Sequence, residues 1–336
     1  MSNRTGTRPP TIGDVAESAG VSRATVSRVL NGRSTVDRAI VARVEEAIAA
    51  LDFRPSETAR NLSLGRTNTV AVIVPDLGNP MFQAILRGAT RGAAIDGYQI
   101  LVADTQEHPD AEKRAAIDAR RRCDALLLCA PRMDDESLAE VLRQTWPVAI
   151  VNRPFADAAI PQVAMDYRHA IGLVTDHLAG LGHRRILYLG GPIASASNRL
   201  RLSGLDDAEA RHPAITIERR TVGSSLDDGW DVAPETIASG ATAVIAFNDL
   251  VAIGLLSRLP ELGVAVPGDI SVVGVDDIPF ARFSRPQLTT VSVPQDELGI
   301  LAWEKLHGAL AGIPTGDPLW VQGTLFERHS TGSAAP

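Results

Sequence analysis

The sequence predicts an N-terminal three-helix helix-turn-helix headpiece followed by an α/β core of two doubly wound parallel-sheet lobes. Three observations carry that expectation. The stretch GVSRATVSRVLNG, residues 20–32, has the caps and apolar spacing of a short helix entered across a tight turn. From Val70 onward, apolar runs of strand length alternate with amphipathic helices, the pattern of a parallel sheet. That alternation restarts near Gln162, so one series becomes two.

Thr11 with Asp14 makes an S/T-x-x-D helix start, Val15, Ala16 and Ala19 fall on one side, and Gly20 closes the segment as a C′ residue. Ser22 caps the second helix, with Val21 and Val26 at the two positions of a hydrophobic staple. Val26, Val29 and Leu30 then recur at helical spacing, which turns Arg23, Thr25, Ser27 and Arg28 elsewhere. Asp37 caps a third helix whose expected buried stripe is Val41, Val44, Ile48 and Leu51. A helix-turn-helix sets the first residues of its second helix against base edges in the major groove, which selects Arg23 and Ala24 as readers. Ala24 is small, so its part is a methyl contact or none. Arg28 offers a bidentate fork to guanine, Thr25 and Ser27 suit phosphate oxygens, and Ser22 and Asn31 complete the DNA-facing set. The alternative is a solvated helix in a generic three-helix bundle.

Arg54 and Pro55 stop the third helix, and Ser56 caps ETARNLSLG, a segment too short to be a stable helix alone. In the core, VAVIVP, QILVAD, ALLLCA and VAIVN are expected strands, with helices at 80–96, 110–121 and 135–144 between them. The second series runs through a helix at 168–180, RILYLGG, a helix near 199–210, a strand near 217–222, AVIAFND, a helix at 249–258, ISVVGVDD and LTTVSV. A helix at 296–311 and the strand WVQGTLF follow.

The 336 residues carry a net charge of −7, which taken alone argues against a nucleic-acid partner. The distribution reverses that: residues 1–66 hold ten arginines against seven carboxylates, and the remainder is strongly acidic. Apolar runs fall far short of the ~20 residues of a membrane span, and MSNRTGTRPP has no apolar signal-peptide core, so a cytoplasmic protein is expected. Cys123 and Cys129 flank a buried-looking strand and read as reduced core thiols; the scattered histidines show no metal-binding spacing, and no cofactor is expected. GxSxG, P-loop and GxGxxG motifs are missing from the sequence. Asp276 and Asp277 are adjacent on a strand, face opposite sides, and cannot flank one bond as an acid–base pair.

TIGDVAESAGVSRATVSRVLNG, followed by ARNLSLGRT, resembles the headpiece and hinge of the LacI/GalR family of transcriptional regulators, and the likeness continues to near residue 328. The resemblance implies a headpiece at 1–54, a hinge helix and linker at 55–67 that orders on operator DNA, a core at 68–330 and a tail at 331–336. Leu62 matches the leucine that such hinge helices insert into the minor groove, where a wedge kinks the duplex. The other reading packs Leu62 and Leu64 against the core. The implied core is periplasmic-binding-protein-like, with lobe one at about 68–164 and 294–321 and lobe two at about 165–293 and 322–330. Pro213 and Pro234 fall where the family often has uninterrupted helix, so the outer helices of lobe two are expected to be short or to start late. The resemblance also implies a homodimer, with helix 80–96 forming much of its interface. TGSAAP carries no leucine heptads for a tetramer.

Ligands of open parallel sheets bind beyond the C-terminal strand ends. Asn79, Asn152, Arg153, Asn248, Asp249, Asp276 and Asp277 occupy such positions, and Ser195, Ser197 and Arg199 follow the strand RILYLGG. Carboxylate, amide and guanidinium together suit a polyol, because each makes paired hydrogen bonds to vicinal hydroxyls. By resemblance Arg199, Asn248 and Asp276 match sugar contacts, Asn152 takes a place often held by Asp, and Met81 and Phe82 line the apolar side. Asn and Asp after strands also serve as turn and cap residues, the reading favoured for Asp249 and Asp277. The expected function is a sequence-specific repressor released from a palindromic double-stranded operator by a small carbohydrate. The alternatives are a nucleoside or purine effector, corepression, a solute-binding protein that never meets DNA, or a sugar-processing enzyme.

Overall fold

Short helices hold only when their ends are satisfied, and the first three helices meet that need with nearby side chains. The computed structural model describes residues 10–30, 36–53, 66–314 and 316–334. The chain divides into two units, residues 1–67 and 68–336. In the first, α1 (Ile12–Ala19), α2 (Arg23–Leu30) and α3 (Arg38–Ala50) close a small core. Thr11 donates from both its backbone N and its Oγ1 to the Asp14 carboxylate at 2.7 Å. Gly20 ends α1 at φ 65°, a left-handed conformation that costs glycine little and turns the chain into α2. Ser22 Oγ accepts from Thr25 N at 3.1 Å, and Asp37 Oδ1 accepts from Ala39 N at 2.8 Å. Val15, Val26 and Val44 are fully buried at the centre. On α3 the buried stripe takes Ile40 and Ala47 in place of the expected Val41, because 40, 44, 47, 48 and 51 follow one face of the helix more closely.

The second unit holds two sheets of six strands each. Lobe one contains β1 (Thr69–Val74), β2 (Gln99–Asp104), β3 (Ala125–Cys129), β4 (Val148–Val151), β5 (Gln162–Met165) and β11 (Leu319–Val321), in the order β11-β5-β4-β3-β1-β2. Its helices are α4 (Pro80–Ile95), α5 (Pro109–Arg120), α6 (Asp135–Thr145) and the returning α12 (Gln295–Leu310). Lobe two contains β6 (Arg185–Gly190), β7 (Thr216–Thr221), β8 (Ala243–Ala246), β9 (Ser271–Asp276), β10 (Thr289–Ser292) and β12 (Thr324–Phe326), in the order β12-β10-β9-β8-β6-β7. Around it lie α7 (Tyr167–Gly180), α8 (Ala196–Arg211), α9 (Leu226–Asp231), α10 (Ala233–Ala238) and α11 (Asp249–Arg258). The chain passes between lobes at β5–α7, β10–α12 and β11–β12. Both faces of β3, β8 and β9 are covered, which is why their sequences are unbroken apolar runs.

Five details differ from the expectation or sharpen it. β12 runs antiparallel to β10, so the second sheet is not wholly parallel. WVQGTLF is two strands, one in each sheet, separated at Gln322 and Gly323. α8 starts at Ala196 rather than near 199, because Ser195 Oγ accepts from Asn198 N at 3.3 Å. Pro234 sits in the first turn of α10, dividing the outer helix of lobe two into α9 and α10 of six residues each. The strand QILVAD, β2, is an edge strand with Leu101 50% and Val102 43% exposed.

α4 and α12 touch backbone to backbone. A Cβ on Gly88 would lie 2.0 Å from the Asp296 carbonyl oxygen, and one on Gly299 would lie 2.1 Å from that of Ile85. Gly299→Ala must therefore push the helices apart and is expected to cost about 1–3 kcal/mol or more by overpacking. The readout is the denaturant midpoint of the core; an unchanged midpoint would show that the helices separate freely.

Candidate functional site

On α2, Ser22, Arg23, Ala24 and Arg28 are exposed and Thr25 and Ser27 are half-buried. The Ser22 and Thr25 hydroxyls bond each other at 2.9 Å, and the Arg23 guanidinium lies over Gly13 of α1, where an added Cβ would be 3.0 Å from Nη2. The structure thus presents Arg23, Ala24 and Arg28 to solvent on the helix expected to read DNA. Asn31 and Leu62 lie outside the described residues, as does most of the hinge segment.

Between the lobes a cleft gathers Asn79, Met81, Phe82, Asn152, Ser197, Asn248 and Asp276 from the ends of several strands. Ser195 stands behind Ser197, with the two hydroxyls 2.9 Å apart, and caps α8. Arg199 is exposed and does not line the cleft; Arg201 does, and is buried. Successive helical residues rotate by about 100°, so positions 199 and 201 face nearly opposite ways, whereas 201 follows Ser197 by one turn. That spacing in SNRLR was the signal that sequence reasoning missed. Glu107, Ala130, Arg132, Tyr167, Ser224 and Phe247 also line the cleft without having been expected there.

Other predicted positions turn away from the cleft. Arg153 Nη1 donates to the backbone oxygens of Pro131, at 2.8 Å, and Met133, while Nη2 donates to Asp135 at 2.6 Å. Asp277 pairs with Arg328 at 2.5 Å. Asp249 is not the cap of α11; that is Asn248, whose Oδ1 accepts from Val251 N at 2.9 Å. Asp249 instead accepts from Ile278 N at 2.8 Å and Thr290 Oγ1 at 2.6 Å, and burial pushes its carboxyl well above the usual range.

The centre of the cleft is a charged pair held in an apolar cradle. The Arg201 guanidinium lies 3.8 Å from the Tyr167 ring centroid and 4.4 Å from that of Phe247. Its Nη2 is 4.0 Å from Asp276 Oδ1, too far for a hydrogen bond. Arg201 Nε and Nη1 and Asp276 Oδ1 are buried without partners. Burial pushes the Asp276 carboxyl up to about 7 against the opposing pull of Arg201. The three cleft amides are by contrast engaged: Asn79 Oδ1 accepts from Met81 N at 2.9 Å. Asn152, at φ 56°, accepts from Met165 N at 2.9 Å and donates to Tyr167 Oη at 3.4 Å; Asn248 Nδ2 donates to the Ser224 carbonyl at 2.9 Å. The free hydrogen-bonding capacity on the lobe-two side therefore concentrates at Arg201 and Asp276.

Residues 11–56 match the bacterial regulatory proteins of the lacI family, and residues 175–331 match the periplasmic binding protein-like domain. The HTH-type transcriptional regulator GalR of Salmonella typhimurium is 36% identical over 330 residues, covering 95% of each chain. The ribose operon repressor of Escherichia coli is 32% identical over 313 residues, covering 88% of this chain and 92% of that one. A solved lac repressor dimer bound to operator and the anti-inducer ONPF aligns with a TM-score of 0.84 at 28% identity, over 97% of this chain and 100% of that one. A complex of the transcriptional regulator CelR with cellobiose aligns with a TM-score of 0.71 at 27% identity, over 96% and 99%. Such identity over nearly the whole length, on a helix-turn-helix followed by two α/β lobes, makes this chain a DNA-binding transcriptional regulator of the LacI/GalR family and not an enzyme.

Proposed function

We propose that the protein is a homodimeric repressor that a small carbohydrate releases from a palindromic operator. One observation carries the effector class: Arg201 and Asp276 are buried face to face in the cleft with polar atoms unpaired. Burying charge without partners costs several kcal/mol, and a hydroxyl that accepts from Arg201 while donating to Asp276 offsets that cost. The relatives named for ribose and solved with cellobiose support the same class. Ile95, 85% exposed, together with Leu101 and Val102 on the β2 edge, supports a second copy covering that surface of lobe one. Residues 55–67 act in this reading as the hinge, with Leu62 as the wedge.

Operator binding is measured by fluorescence anisotropy across a panel of sugars, sugar phosphates and nucleosides. Release by at least one neutral sugar is expected; release by a nucleoside alone, or tightening by the sugar, would defeat the assignment. Arg201→Met should cost about 2–5 kcal/mol of affinity for the effective sugar, because it leaves Asp276 buried opposite an apolar chain.

The DNA face gives a separate test. If Arg28 forks onto a base, Arg28→Ala loses about 1–3 kcal/mol on the operator and relaxes preference at one symmetric pair of positions. Equal losses on operator and random DNA would make Arg28 a phosphate contact instead.

Asp276 also predicts a pH dependence. Its carboxyl is raised from 3.8 to about 7 on folding, so its contribution to stability is complete below pH 3.8 and is lost as pH rises through about 7. Glu112 is likewise raised to about 7, so the comparison needs Asp276→Asn as reference. The stability of the parent relative to that variant should fall across this window by up to about 4 kcal/mol. A hydroxyl donating to the carboxylate favours the ionised form, so the sugar should bind more tightly at about pH 8 than at about pH 6, and Asp276→Asn should flatten that slope. Equal slopes in parent and variant, by calorimetry, would remove Asp276 from the contact.

A further inference from the structure

The lobe-one wall of the cleft carries a second charged pair, unlike the first in being fully organised. Arg132, 5% exposed, donates from Nε and Nη2 to the two carboxylate oxygens of Glu107, the second at 2.8 Å, and from Nη1 to the Ala130 carbonyl at 2.8 Å. Both side chains line the cleft. The short loop that bears Arg132, directly after β3, is gripped from behind by two further buried charges. Glu112 of α5, fully buried, accepts from Arg132 N at 2.8 Å and Met133 N at 3.0 Å. Arg153, 2% exposed, donates to the carbonyls of Pro131 and Met133. Ala130 and Glu107 hold φ of 44° and 60°, left-handed conformations unusual for residues with a side chain.

Stability alone does not account for this arrangement. Buried ionic groups are weak stabilisers, and an apolar wall of similar volume is often as stable or more so. Here Glu112 and Arg153 bind only backbone on the loop and so fix where Arg132 points, while Glu107 fixes the plane of its guanidinium. After these bonds Arg132 retains N–H donors and the Glu107 carboxylate retains lone pairs, side by side at the cleft. A donor beside an acceptor is the complement of two neighbouring hydroxyls, one accepting and one donating. The other polar lobe-one residues at strand ends here are already engaged, Asn79 as the cap of α4 through Met81 N and Asn152 with Met165 and Tyr167.

We propose that the Glu107–Arg132 pair is a specificity-determining contact on lobe one, reading a vicinal diol of the effector while Arg201 and Asp276 hold it from lobe two. The inference rests on the reading of the cleft as a polyol site. A ligand satisfying both pairs spans the two lobes, and the diol's position and stereochemistry set which sugar can do so.

The test uses the full-length protein and calorimetric titration with D-ribose, D-glucose, D-galactose and cellobiose, then with the monodeoxy analogues of the tightest binder. In the parent, replacing either of one adjacent pair of hydroxyls by hydrogen should weaken binding by at least about tenfold. In the double variant Arg132→Met with Glu107→Gln, which leaves no charge of that pair unpaired, the sugar should bind as weakly as those analogues, and the discrimination should vanish. If the double variant does not fold, as judged by its thermal transition, Glu107→Gln carries the same comparison, since it keeps the size and an acceptor for Arg132. Discrimination that persists unchanged in the folded variant overturns the proposal while leaving the sugar reading in place. Failure of all four sugars to bind the parent overturns both.

Discussion

A guanidinium that is buried, stacked between two aromatic rings and facing a carboxylate it cannot reach is the constraint on which the rest of this core depends. Arg201 comes from α8, Tyr167 from the segment where the chain first leaves lobe one, and Phe247 and Asp276 from the ends of β8 and β9. Strand ends of a parallel sheet converge where no strand continues, so polar side chains there can be buried without breaking a ladder. The cost of the unpaired atoms falls on the unliganded protein, and it offsets part of what the apolar strands contribute. A group whose cost is removed only when something enters the cleft ties the stability of the core to its occupancy.

Much of this was legible in the residues. Capping residues, spaced against apolar positions, marked the headpiece helices: Thr11 with Asp14, Ser22 and Asp37 each make the bond that their chemistry implies. The strands of both sheets were legible for a different reason, since a strand covered on both faces needs an unbroken apolar run. What periodicity could not carry was orientation. Arg199 and Arg201 are the same residue two positions apart, and only the true start of α8 at Ala196 decides which of them faces inward. Val41 lost its place on α3 to Ile40 because small Ala47 completes a stripe that larger residues alone do not show. QILVAD reads as buried by composition, yet it is an edge, and edge position depends on strand order rather than on local sequence.

Arg132 and Glu107 illustrate a harder limit. Arg132 lies three residues beyond the last strand residue of β3, and Glu107 three beyond that of β2, on loops where charged residues are ordinary. Nothing in their spacing joins them, since β2 and β3 are both neighbours of β1 and not of each other. Their pairing appears only when the sheet order brings the two loops to one wall. The residues that brace them, Glu112 and Arg153, are equally silent in sequence: a carboxylate in an amphipathic helix and an arginine after a strand have exposed readings by default.

How occupancy of the cleft could be felt elsewhere in the core follows from one more contact. Gln295, the first residue of α12 in lobe one, donates from Nε2 to the backbone carbonyl of Asp276 in lobe two. Asp276 therefore faces the cleft with its side chain and lobe one with its backbone, at φ 116°, a value few residues with a side chain adopt. Along α12, the Asp296 carbonyl and Gly299 meet α4 with no side chain between, so α12 cannot shift along its axis without moving α4. Packed backbones transmit displacement better than long side chains, because they have no rotamers in which to absorb it. Contact is not coupling: a ligand changes DNA affinity only by binding two arrangements of the core unequally. A ligand held at once by Asp276 and by the Arg132 wall meets that condition, because any motion that separates these two walls breaks one set of its hydrogen bonds, whereas a ligand held by lobe two alone would bind both arrangements equally and switch nothing.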